Sequence, residues 1–126
     1  MAIKTILLID DSEADQFFAK TTIEFYDSEI EVIQAFDGKE ALQILSNTKK
    51  QPDIIFVDLN MPVMNGIDFL THYTKEGFGG STIFMLTSSD LPKDVKESTA
   101  YQCVRRYMIK PLKEHDLIDI SKLLAS

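Results

Sequence analysis

Three runs of uninterrupted apolar residues constrain this chain most: Ile6-Leu7-Leu8-Ile9, Ile54-Ile55-Phe56-Val57 and Ile83-Phe84-Met85-Leu86. Each is rich in β-branched or bulky side chains and stops at polar or turn residues. A strand with one wet face alternates apolar and polar residues, so strands without alternation must be covered on both faces. Two further candidates are mixed. Glu31-Val32-Ile33-Gln34-Ala35 is flanked by charge, and Arg105-Arg106-Tyr107-Met108-Ile109 begins basic. Polarity of that kind suits edge strands.

Helical patterns fill the intervals. Ala14, Phe17, Phe18, Thr21 and Phe25 fall at i, i+3, i+4 and i+7 spacings. They are expected to form the core stripe of the first helix, and the phenylalanines to be core rather than a stacking platform. Ser12 and Asp15 are placed to form its capping box. Gly38, Ala41, Leu42 and Leu45 mark a second helix, opened by the Asp37-Gly38 turn. Ile67, Leu70 and Tyr73 or Thr74 mark a third, Leu91, Val95 and Ala100 a sparse fourth, and Leu117, Ile120 and Leu124 a fifth. Strict alternation predicts an α/β fold: a (βα)5 doubly wound, five-stranded parallel sheet with right-handed crossovers. Strand order 2-1-3-4-5, a known doubly wound order, puts the three apolar strands inside and the two mixed ones at the edges.

With 126 residues, 44% of them apolar, the chain suits one domain, expected to span 1–126 with no output domain after the last helix. A net charge of −7 argues against nucleic acid or an anionic membrane as a direct partner. The single cysteine, Cys103, excludes an internal disulfide and reads as a structural thiol in a reducing, cytoplasmic setting. The apolar run after Lys4 is too short for a secretory signal, and no run reaches transmembrane length. His72 and His115 do not form a metal motif with each other.

Open parallel sheets bind ligands beyond the carboxyl ends of their strands. The first strand ends in Asp10-Asp11, the third in Asp58, the fourth in Thr87-Ser88-Ser89 and the fifth in Lys110-Pro111. In the expected order these ends converge on one edge. Two carboxylates about 4 Å apart repel by roughly 4 kcal/mol at an effective dielectric near 20. One lysine cannot balance three carboxylates, whereas a hard divalent ion such as Mg²⁺ can. Asp58 could then attack phosphorus and become an aspartyl phosphate, with Thr87 and Lys110 binding phosphoryl oxygens.

Asp10-Asp11, Asp58-Leu59-Asn60-Met61-Pro62, Met64-Asn65-Gly66, Thr87-Ser88 and Lys110-Pro111, in this order, resemble the CheY-like receiver domain of response regulators, which has the flavodoxin-like order given above. The resemblance covers essentially the whole chain. It implies phosphorylation of Asp58 by a phosphohistidine on a sensor histidine kinase or a histidine phosphotransfer protein. It implies direct Mg²⁺ ligation by Asp11, Asp58 and the Asn60 backbone carbonyl, with Asp10 acting through a metal-bound water. Thr87 and Tyr107 would be the switch residues and Lys110 the phosphate ligand, with a cis bond to Pro111. The face of the fourth helix, fifth strand and fifth helix would carry the output to a protein target. The protein would be a monomer or a weak dimer through that face. Ser88 stands where the family usually has alanine, and Arg105-Arg106 is a further departure.

Two alternatives compete. A binding module that works without phosphorylation would typically have lost part of the acidic and lysine set. A phosphatase of haloacid-dehalogenase type would need Asp-x-Asp after the first strand, where Asp10-Asp11-Ser12 stands. A nucleotide- or flavin-binding loop would need a glycine-rich or hydroxyl-rich first turn, and neither is present.

Overall fold

The computed structural model describes residues 3–125, so residues 1, 2 and 126 of the expected domain lie outside the described residues. The elements alternate as β1 (Thr5–Ile9), α1 (Glu13–Tyr26), β2 (Glu31–Ala35), α2 (Gly38–Asn47), β3 (Ile54–Val57), α3 (Gly66–Glu76), β4 (Thr82–Thr87), α4 (Pro92–Thr99), β5 (Val104–Ile109) and α5 (Glu114–Ala125). All pairings are parallel, and the strand order is β2-β1-β3-β4-β5, as the strand polarity predicts.

The central strands divide their side chains by parity, as a two-residue repeat requires. Leu7, Ile9, Ile55, Val57, Ile83 and Met85 face a core completed by Ala41 and Leu45 of α2 and by Phe69, Leu70 and Tyr73 of α3. Ile6, Leu8, Ile54, Phe56, Phe84 and Leu86 face the opposite core, completed by Ala19 and Ile23 of α1 and by Leu117 and Ile120 of α5. Phe56 and Phe84 are partners in register across β3 and β4, with ring centroids 5.9 Å apart. Burial on both faces explains why these runs contain no polar residue. The sparse fourth helix keeps its apolar residues near the surface, and its buried position is Ser98, whose hydroxyl donates to the Asp94 carbonyl.

The first helix corrects an expectation. Ala14, Phe17, Phe18, Thr21 and Phe25 are all exposed, the phenylalanines by 66%, 63% and 83%. Gln16, Ala19 and Ile23 are the buried stripe instead. Gln16 sits where α1 meets the ends of β1 and β2, and its Nε2 lies 2.9–3.1 Å from the carbonyls of Leu8, Asp10 and Ala35. Gln16 thus brings a donor to a cluster of carbonyls at the sheet's end, which an aromatic ring could not. Small Ala19 then lets the helix lie close to the sheet.

The loop after β3 carries a local strain. Val63 has φ of 66° and is almost wholly exposed, while Met64 N–H donates to the Pro62 carbonyl at 2.7 Å across it. A β-branched residue at positive φ is a true outlier, with no packing here to compensate. Val63→Gly is expected to stabilise the protein by about 1 kcal/mol, because the bond across Val63 closes a γ-turn whose positive φ glycine adopts without a β-carbon clash. The midpoint of urea denaturation should rise accordingly; a fall would show that the turn is not strained.

Candidate functional site

The sheet itself positions the site. Asp10 N–H donates to the Ala35 carbonyl at 3.0 Å, Asp58 N–H to Ile9 at 3.0 Å and Lys110 N–H to Thr87 at 2.9 Å. Each of these three residues is thus the next rung of the ladder beyond its own strand. Asp10 and Asp58 are buried, and Thr87 is fully so.

Carboxylate oxygens of Asp10, Asp11 and Asp58 all lie within 4.8 Å of one another, with Asp11 exposed. Lys110 Nζ enters this group, 2.6 Å from Asp10 Oδ2, 2.7 Å from Asp15 Oδ2 and 3.2 Å from Asp58 Oδ2. Burial pushes the Asp10 carboxyl up from its ordinary value, and its bonds to Lys110 and the Ser12 N–H offset this only in part. Burial alone would lower the Lys110 pKa, but the bonds to Asp10 and Asp15 and the charges of Asp58 and Asp10 outweigh it, so the ammonium is held charged. The site therefore has more negative charge than its single ammonium neutralises. An all-oxygen donor set with one solvent-facing carboxylate fits a hard divalent cation such as Mg²⁺.

The remaining expected residues lie close by. Asn60 N–H reaches Asp58 Oδ1 at 3.4 Å. Thr87 Oγ1 accepts from the Ser89 N–H at 3.4 Å, and the Tyr107 hydroxyl donates to the Ser89 carbonyl at 2.7 Å. Tyr107 is thereby tied to the loop that follows Thr87. The Lys110–Pro111 bond is cis. Gly66 N–H donates to the Leu59 carbonyl at 2.9 Å, which brings the start of α3 against the backbone of Asp58.

Sequence reading missed Asp15 as a member of the site. It was expected to close a capping box, but only half of that box forms. Ser12 Oγ accepts from the Asp15 N–H, while the Ser12 N–H donates to Asp10 Oδ1 and the Asp15 carboxylate turns to Lys110. The available signal was an extra carboxylate one helical turn after Asp10-Asp11. Phe18 was also missed; with Asp15, Lys110, Pro111 and Leu112 it lines a cleft beside the site.

Among the described residues no helix is long and apolar enough to cross a membrane. The chain matches the response regulator receiver domain family over residues 6–122. It is 30% identical over 125 residues to chemotaxis protein CheY of Halobacterium salinarum, covering 98% of each chain. It is also 27% identical over 117 residues to sensor histidine kinase CheAY of Helicobacter pylori, covering 93% of this chain but only 14% of the kinase. In structure it is similar to a two-component response regulator from Cytophaga hutchinsonii, with a TM-score of 0.90, 28% identity and full coverage of both chains. It is likewise similar to CheY4 of Vibrio cholerae, with a TM-score of 0.77, 28% identity and coverage of 96% and 98%. With the sheet order in agreement, the chain belongs to the response regulator receiver domain family, the CheY-like domains of two-component signalling.

Proposed function

We propose that this protein accepts a phosphoryl group on Asp58 from a phosphohistidine of a sensor kinase or phosphotransfer protein. The observation that carries this reading is the gathering of the buried Asp58 carboxylate with the Lys110 ammonium and the acidic pair Asp10 and Asp11 at one edge of the sheet. An Asp58 oxygen attacks phosphorus, the nitrogen–phosphorus bond breaks, and its electron pair returns to the imidazole. Asp11, Asp58 and the Asn60 carbonyl would hold Mg²⁺ directly, with Asp10 holding it through water. When bound, the ion neutralises charge on the transferring oxygens. Lys110 pairs with one phosphoryl oxygen and Thr87 bonds another. Movement of Thr87 would reach Tyr107 through their shared loop and alter the α4, β5 and α5 face that a target protein reads.

The test is labelling by acetyl phosphate. Incorporation should require Mg²⁺, stop on chelation and be released by hydroxylamine, as an acyl phosphate is. Labelling that persists in chelator would overturn the reading.

Exposed Phe18, in ring contact with exposed Phe17 at 6.0 Å, gives the protein donor a surface beside the site. Contiguous exposed apolar residues mark interaction faces, and Phe18 borders the cleft that contains Lys110. Phe18→Ala is expected to slow transfer from a cognate phosphohistidine protein roughly tenfold, the weight of one aromatic contact. Labelling by acetyl phosphate should be unchanged. Equal loss with both donors would place Phe18 in the site's architecture instead.

A further inference from the structure

The use of Lys110 described above leaves Asp15 unexplained. An acidic residue at the third position of a helix, behind a serine N-cap, ordinarily reaches back to the N-cap N–H. Here Asp10 Oδ1 occupies that N–H at 3.0 Å, and Asp15 Oδ2 instead lies 2.7 Å from Lys110 Nζ. A lysine ammonium has three hydrogens. Asp10, Asp15 and Asp58 provide an acceptor for each, and Asp58 has the longest of the contacts at 3.2 Å. A phosphoryl oxygen arriving at Asp58 must therefore displace one of the partners Lys110 already has.

The partners are not equivalent. Asp10 and Asp58 belong to the carboxylate group that can hold a cation, and Asp15 does not. A cation drawn to Asp10 and Asp58 leaves the Asp15 pair intact. Asp15 is also the most exposed of the partners, with 42% of its side chain accessible against 11% and 8% for Asp10 and Asp58. It is thus the partner of Lys110 that solvent reaches most readily.

We propose that Asp15 is a positioning residue that keeps Lys110 engaged in the resting state and so disfavours the phosphorylated one. The inference rests on Asp58 being the phosphoryl acceptor. Two effects act in the same direction: Asp15 competes with the phosphoryl oxygens for the ammonium, and its own charge repels them. Partly exposed ion pairs contribute about 1 kcal/mol, so the expected effect of neutralising Asp15 is roughly fivefold.

The test is beryllofluoride binding at saturating Mg²⁺, followed by ¹⁹F NMR, with thermal unfolding of the same samples. Asp15→Asn should bind roughly fivefold more tightly than the wild type. Asp15→Glu, which keeps the charge and can still reach Lys110, should bind like the wild type. In the metal-free protein the ¹⁵N resonance of the Lys110 ammonium should shift in Asp15→Asn, a change that loss of a helix cap would not produce. Unchanged or weaker binding by Asp15→Asn overturns the inference, as does an equal change in both variants. A wild type that binds no beryllofluoride removes the acceptor reading and this inference together. A wild type that binds normally, with no gain in Asp15→Asn, removes this inference alone.

Discussion

Asp58→Asn should accept no phosphoryl group from acetyl phosphate or from a phosphohistidine protein, and should remain folded. Asparagine matches aspartate in shape, but its amide oxygen is a poor nucleophile and carries no charge to hold a cation. The fold should tolerate the change, because Lys110 keeps Asp10 and Asp15 as partners at 2.6 and 2.7 Å. Removing one charge from a crowded acidic group also relieves repulsion, which is worth roughly 4 kcal/mol per close pair before screening by Lys110. The variant should therefore melt no lower than the wild type. Intact-mass measurement after incubation with acetyl phosphate and Mg²⁺ gives the answer directly. A phosphorylated adduct on the variant would move the acceptor to another residue.

Gly66→Ala should cost stability and acceptor function together. A β-carbon at Gly66 would lie 2.5 Å from the Asp58 carbonyl oxygen and 2.9 Å from Leu59 Cα. Both are backbone atoms, so no side chain can rotate to make room. Either α3 moves away from the sheet or the backbone of Asp58 does. Overpacking of this kind costs about 2–3 kcal/mol. Labelling by acetyl phosphate should fall with it, since Asp58 loses its alignment with Lys110. Gly79→Ala is the control, because a β-carbon there meets nothing within 4 Å. Urea denaturation of the two variants separates the cases. Equal stabilities would show that the contact at Gly66 is loose in solution.

The sheet and its order were legible because the signal was strong and local. Unbroken apolar runs leave no choice about burial on both faces, and Glu31 and Arg105-Arg106 marked the edges. The strand ends then brought Asp10, Asp58, Thr87 and Lys110 together without further assumptions. The rotation of α1 was not legible. Helical spacing groups Phe17, Phe18 and Phe25 as readily as Gln16, Ala19 and Ile23, and apolar weight favoured the phenylalanines. The deciding factor was the cluster of the Leu8, Asp10 and Ala35 carbonyls, which Gln16 can serve with a donor and a phenylalanine cannot. That cluster exists only once β1 and β2 are assembled. Asp15 was hidden for a similar reason: its sequence context describes a cap, and only the folded arrangement shows Asp10 already occupying the Ser12 amide.

The backbone amides of Asp10, Asp58 and Lys110 continue the ladder of the sheet. Because of this, the site has no hinge of its own. Breathing that exposes the Asp58 carboxylate from behind must open rungs between central strands, the part of a protein that opens with nearly its full unfolding free energy. Freedom to move is left to the side chains and to the loops beyond the strand ends, among them the one between Thr87 and α4. The edge that carries Asp10, Asp58 and Lys110 and the hydrophobic core thus behave as one cooperative unit, and a signal can leave it only through groups that the ladder does not hold.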